Sequence, residues 1–176
     1  MATYPATRPV TADTVEPRGL MVASLFDLHA SGLYRLAVAM LRDPDVAQDV
    51  VQDTFLRLIA HVEAGGPLPN ARGWLYTVAA HACRDRQRRL ARWLPWIAER
   101  DTRRATESPD IRDGSQATLD AIRALAPRDR LLVALRAQKL SYREIGEAAG
   151  IRAASVGRLL ARALDRLQEE LDQRQG

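Results

Sequence analysis

Three groups of side chains in this sequence combine reactive or charged chemistry with helical spacing. Asp45, Asp49 and Asp53 recur every four residues and so stack on one helix face. Asp45 suits a helix N-terminus, where the dipole favours an anion. Asp49 and Asp53 have no such local reason, and like charges four apart cost a helix about 0.2–0.5 kcal/mol per pair. A basic partner surface would account for them, as would plain solvation. Trp74, Thr77, His81, Arg84 and Arg88 form a second stripe, spaced three or four apart. An aromatic ring, two hydrogen-bonding groups and two guanidiniums suit a single nucleic-acid strand, through base stacking and backbone charge. The plainer role for Trp74 is a half-buried structural indole. Arg158, Arg162 and Arg166 form the third group, again four apart. They could meet phosphates and base edges in a major groove, or be the solvated side of a helical hairpin.

These stripes need helices to carry them. An apolar period through Leu25, Leu28, Leu33, Leu36, Met40 and Leu41 predicts a first helix from Val22. Asp43-Pro44 is an N-cap followed by proline at the first helical position. The helix it opens turns Ala47, Val51, Phe55, Leu58, Ile59 and Val62 inward and stops at Gly65-Gly66-Pro67. A third helix runs from Asn70 to about Leu90, with Ala71, Leu75, Val78 and Ala82 toward the core. Further helices are expected at roughly 116–125, 128–138, 142–148 and 153–171. Ser141 and Glu144 make a capping box, flanked by the hydrophobic staple Leu140–Ile145. Ala149-Gly150-Ile151 then turns into the Arg158/Arg162 helix, a helix-turn-helix pattern. Gly157 sits inside that helix at a cost of about 1 kcal/mol relative to Ala. Close approach of DNA would explain it, as would simple tolerance.

Composition narrows the function classes. The chain has 176 residues, 47% of them hydrophobic and 5% aromatic, with no apolar run long enough to span a membrane. The single cysteine, Cys83, excludes a disulfide framework, and His29, His61 and His81 stand in separate helices without metal-ligand spacing. There is no Gly-rich phosphate loop and no nucleophile elbow. No catalytic, cofactor or metal residue is therefore expected. The N-terminus MATYPATRPV lacks a signal-peptide pattern, so a cytoplasmic location is expected. Of the 26 basic residues, 25 are Arg and only Lys139 is Lys. Their distribution is uneven: 27–63 holds six acids and three bases, whereas 84–104 holds eight bases and three acids. A chain that touches both a basic protein and an anionic polymer has this pattern.

The expected architecture is all-α. Residues 1–19 read as a disordered tail, 20–90 as one small helical domain, 91–115 as a linker and 116–172 as a second domain. Within the linker, Trp93-Leu94-Pro95-Trp96 is too apolar to sit comfortably in water.

Taken in order, Asp45–Leu56, Arg72–His81 with the Arg-rich run after it, and Leu140–Leu167 resemble bacterial sigma factors of the extracytoplasmic-function (ECF) group. The resemblance implies a sigma-2 bundle and a sigma-4 helix-turn-helix domain joined by a linker. It also implies a non-enzymatic initiation factor that binds core RNA polymerase and reads −10 and −35 promoter elements. By position, Asp49, Gln52, Asp53 and Phe55 would dock on the β′ clamp helices. Trp74, Thr77, His81, Arg84 and Arg88 would hold the opened −10 strand. Ser155, Gly157, Arg158 and Arg162 would meet the −35 element. The β subunit and an anti-sigma factor are further implied partners. Two departures are visible: His81 stands where the family commonly has Asn, and Arg152 occupies the usual Ser cap position. The rival readings are a stand-alone helix-turn-helix regulator and a sigma mimic that blocks polymerase without initiating.

Overall fold

The computed structural model describes residues 12–97 and 115–175. Among the described residues there are seven helices and no strand. They are α1 (Ala12–Leu41), α2 (Pro44–Glu63), α3 (Ala71–Ile97), α4 (Ser115–Ala124), α5 (Pro127–Ala137), α6 (Tyr142–Ala149) and α7 (Ala153–Gln175). The local signals explain their starts. Asp43 caps α2 by accepting from the backbone of Asp45 and Val46, with Pro44 at the first position. Ser141 and Glu144 complete the capping box of α6, and both staple residues, Leu140 and Ile145, are fully buried.

Two boundaries differ from expectation. Residues 12–19 are not a tail but the first turns of α1; extending a helix already anchored by packing costs little per residue. Residues 1–11 lie outside the described residues. Likewise α3 does not stop at Leu90 but runs to Ile97. Leu90-Ala91-Arg92 are strong helix formers, and propensity needs no apolar period. Linker residues 98–114, and the side chains of Trp93 to Trp96, lie outside the description.

The two halves share one core. Leu33, Leu36 and Met40 of α1, Val50 and Leu58 of α2 and Leu75 of α3 are fully buried together with Leu132 and Leu135 of α5, Ile145 of α6 and Val156 of α7. Helix α3 packs on α6, and α1 on α4 and α5, so a seam rather than open solvent separates the N-terminal three helices from the C-terminal four. Two inward assignments fail here. Leu28 is 71% exposed, because it lies about 140° round the helix from Leu33. Ile59 is 38% exposed, while Val50 and Thr54 are fully buried in its place. Helix α2 is sandwiched between α1 and α3, which shifts its buried arc; the Thr54 hydroxyl is satisfied by donating to the Val50 carbonyl at 2.7 Å.

The turn between α6 and α7 rests on two glycines. Gly150 is left-handed at φ 71°, and the Ile151 amide donates to the Gly146 carbonyl at 2.9 Å. A Cβ on Gly146 would lie 2.8 Å from the Ile151 carbonyl oxygen and 3.2 Å from the Ala153 nitrogen, both backbone atoms. Gly157 contrasts with it. A Cβ there would meet only the Tyr142 ring, at 3.3 Å, and that ring is 49% exposed and free to swing outward. Gly146→Ala should therefore lower stability by about 1–3 kcal/mol, whereas Gly157→Ala should raise it by up to about 1 kcal/mol. Urea unfolding followed by circular dichroism checks both; equal effects would show that the backbone crowding at Gly146 relaxes freely.

Candidate functional site

The α1–α2 face carries the first candidate surface. Phe26 is 48% exposed, and its ring meets that of Phe55 with centroids 4.9 Å apart. An apolar groove of about 810 Å³ runs beside them, walled by Val22, Phe26, Phe55, Ile59 and Val62. Gln52 and Phe55 also line an adjoining hollow with Leu56. Asp49 is exposed on the same helix. Asp53 is not the unexplained charge that its spacing implied: its carboxylate pairs with Arg86 of α3 at 2.6 Å. The pair is partly exposed, so it is worth at most about 1 kcal/mol.

The second candidate stripe lies along α3, and the structure divides it. Trp74 is half-buried, stacked at 5.1 Å on His61, whose Nε2 is 3.1 Å from the Pro67 carbonyl. His61 thus braces the loop before α3. Thr77 is partly buried and His81 exposed. Partial burial, then the Arg84 charge, holds the His81 imidazole below its ordinary pKa, so it is a neutral hydrogen-bonding group at neutral pH, nearer in character to the Asn of the family pattern. Arg88 is exposed and pairs with Asp85. Arg84 is engaged elsewhere: its guanidinium donates to the Ala148 carbonyl at 2.8 Å and the Ala149 carbonyl at 3.1 Å. It caps the C-terminus of α6 from across the seam. Cys83 is buried, which pushes its thiol up to about 12, so it is an inert core residue.

On α7, Arg158 and Arg162 are exposed and have no ion pair among the described residues. Arg166, the third member of that stripe, is bound instead to buried Asp129 of α5. Ser155 is partly buried in the first turn, its amide donating to the Arg152 carbonyl at 2.9 Å. Gly157 faces the Tyr142 ring, which is half exposed and can give way, so no contact inside the molecule requires glycine there.

Several residues at the seam went unnoticed in the sequence. Asn70 donates to Glu144 at 3.1 Å, Arg72 to the Gln138 carbonyl, and Arg42 to the Arg123 carbonyl. Buried Arg130 donates to the carbonyls of Arg123 at 2.7 Å and Leu125 at 2.8 Å. All are long-range partners or lack a local pattern, so spacing could not have found them. Among the described residues, no cluster of His, Cys, Asp or Glu could hold a metal, and no helix is long and apolar enough to cross a membrane.

Residues 25–94 match the family model for sigma-70 region 2, and residues 115–167 that for sigma-70, region 4. The RNA polymerase sigma factor CarQ of Myxococcus xanthus is 32% identical over 151 residues, covering 84% of this chain and 87% of that protein. The chain belongs to the ECF group of sigma-70 family sigma factors. The ECF RNA polymerase sigma factor SigL of Mycobacterium tuberculosis is 36% identical over 122 residues, 69% of this chain. That match spans 63% of the length of SigL. The sigma factor RpoE of Bartonella quintana, solved in complex with the anti-sigma factor NepR, has the same fold, with a TM-score of 0.69 at 21% identity over 92% of this chain and 98% of that one.

The capping box of this sigma factor also ties the seam to a titratable group, since Glu144 accepts from both Ser141 and Asn70. Burial pushes the Glu144 carboxyl up, but hydrogen bonds from the Ser141 backbone and side chain and from Asn70, with the Arg72 charge, outweigh it and hold it below the usual range. A lowered folded pKa contributes stability that is present above the unfolded value, about 4.3 for Glu, and lost as the pH falls through the folded one. The urea midpoint should therefore drop on acidification below about pH 4.3, and Glu144→Gln should flatten that part of the profile. An unchanged profile in Glu144→Gln would assign the acid sensitivity to other carboxylates.

Proposed function

We propose that this chain is a transcription initiation factor that binds core RNA polymerase, directs it to −10 and −35 elements and assists melting, with the polymerase supplying all the chemistry. The observation that supports this reading is the pairing, in one chain, of an apolar groove on the α1–α2 face with a helix-turn-helix whose Arg158 and Arg162 are exposed and have no ion pair among the described residues. Asp49, Gln52, Asp53 and Phe55 meet the β′ clamp helices, and the sigma-4 half contacts the β subunit. Trp74, Thr77, His81 and Arg88 receive the −10 strand. Arg84 turns its full fork toward that strand only when α6 moves away, because its Nε, Nη1 and Nη2 are all directed at the carbonyls of Ala80, Ala149 and Ala148. Ser155, Arg158 and Arg162 read the −35 element. On this reading residues 20–90 form the sigma-2 domain, 91–115 the linker and 116–172 the sigma-4 domain, and the protein works in the cytoplasm. An anti-sigma factor is proposed as a further partner on the strength of the RpoE–NepR likeness.

A stand-alone helix-turn-helix regulator would have no use for the α1–α2 groove or for exposed Asp49 of α2. Capture of core polymerase, followed by run-off transcription, separates that reading and the blocking mimic from this one. Asp49→Arg is the cleaner variant, since Asp53 already has an internal partner. It should weaken capture at least tenfold, as reversed charge against a basic partner costs several kcal/mol, while helix content and stability stay within about 0.5 kcal/mol. Capture at the wild-type level would remove Asp49 from the polymerase interface.

A further inference from the structure

A second cavity, of about 320 Å³, opens on the seam itself. Its walls include His29 and Arg35 of α1, Arg72 and Tyr76 of α3, and Gln138 and Lys139 from the α5–α6 connection. Three cations from three separate elements converge there, and among the described residues no carboxylate lines it. Arg35 reaches the Gln138 side-chain oxygen at 3.5 Å, and Arg72 donates to the Gln138 carbonyl. Each guanidinium has five N–H donors, so both keep donors beyond these contacts. Arg35, Arg72 and Lys139 have no ion pair within 4.0 Å among the described residues; Glu144, which feels the Arg72 charge, is already held by Ser141 and Asn70.

Two further features suit an anion. Lys139 is the chain's only lysine, and it is held at φ 59°, a left-handed conformation where glycine or asparagine is favoured. A Cβ on Gly32 would collide with the Tyr76 hydroxyl and crowd the Gln138 side chain, so the glycine lets α1 approach both. Burial, then Arg72, holds His29 below its ordinary pKa, as expected where the local field is positive. Tyr76, its pKa raised chiefly by burial, remains a protonated donor.

We propose that this cavity, where Arg35, Arg72 and Lys139 meet across the seam, is a binding site for a diphosphate group. A single phosphate carries about two negative charges, fewer than the three cations, so two linked phosphoryl groups match them better. The ligand bridges α1 and α3 to the α5–α6 connection and fastens the seam. The site does not depend on polymerase or promoter binding by this chain.

Titration calorimetry of the full chain with inorganic pyrophosphate tests it. Arg35→Gln removes an exposed charge, and Lys139→Asn removes the other in a residue that accepts the left-handed backbone. Saturable binding is expected, about tenfold weaker in each variant and absent in the double variant, with the His29 titration moving upward in pyrophosphate. A nucleoside diphosphate that binds more tightly marks a nucleotide site, and equal affinity marks the bare diphosphate; both support the proposal. Sulfate at matched ionic strength giving the same binding would overturn it, as would wild-type affinity in the double variant. So would a single-stranded oligonucleotide that displaces pyrophosphate and depends on the same two residues, which would assign the cations to a DNA backbone.

Discussion

Every α-helix leaves its last carbonyls without intrahelical donors, and the fold of this chain is organised around how those carbonyls are satisfied. Arginines reach them from other elements. Arg84 of α3 covers the end of α6, Arg72 of α3 the end of α5, and Arg42, just past α1, the end of α4. Arg130 of α5 covers the end of α4 and also reaches the Met40 carbonyl of α1 at 3.4 Å. Gln87 takes that same carbonyl at 2.7 Å. A guanidinium can donate to two carbonyls in one plane, which a lysine ammonium does less well. This gives a physical reason for arginine rather than lysine at these four positions.

The same constraint shapes the candidate surfaces. The groove between α1 and α2 lies away from these contacts and stays open, so its fit to a partner needs no rearrangement of the seam. The α3 surface is different. Its Trp74 and Arg84 are both engaged inside the molecule, one in bracing the preceding loop and one in closing α6. The α3 stripe is therefore only partly presented to solvent in this arrangement, while Arg158 and Arg162 on α7 are exposed. Small residues make the close packing possible: Gly73 lies against Asn70 and the Glu144 side chain, where α3 and α6 meet.

Much of the secondary structure was legible in the residues because its causes are local. The Asp43-Pro44 start, the Ser141–Glu144 box and the left-handed Gly150 each act within a few residues, and the helices of the C-terminal half fall within a few residues of their expected ends. The failures have a common origin in tertiary context. Leu28 and Ile59 belong to apolar stripes, but which edge of a stripe is buried depends on neighbours the stripe does not name. Asp53 looked unpartnered because Arg86 is one helix away. Arg84 and Arg166 fitted nucleic-acid stripes by spacing, yet a carbonyl pair and a buried aspartate claim them. The seam was invisible for the same reason: two amphipathic halves joined by an irregular stretch read the same whether or not they touch.

The choice of carbonyls as partners has an electrical side. A seam built from ion pairs would cancel a positive charge for each contact made. Here the acceptors are neutral, so Arg42, Arg72, Arg84 and Arg130 tie the halves together and still contribute their full charge to the surrounding field. Attraction toward a polyanion at long range is thus undiminished by closure. Added electrolyte also acts unequally on the two roles. It screens that long-range attraction over a Debye length of about 8–10 Å near physiological ionic strength, but it has little purchase on short hydrogen bonds to uncharged oxygens. Ionic strength can therefore tune how often this molecule meets an anionic polymer without loosening the joint between its halves.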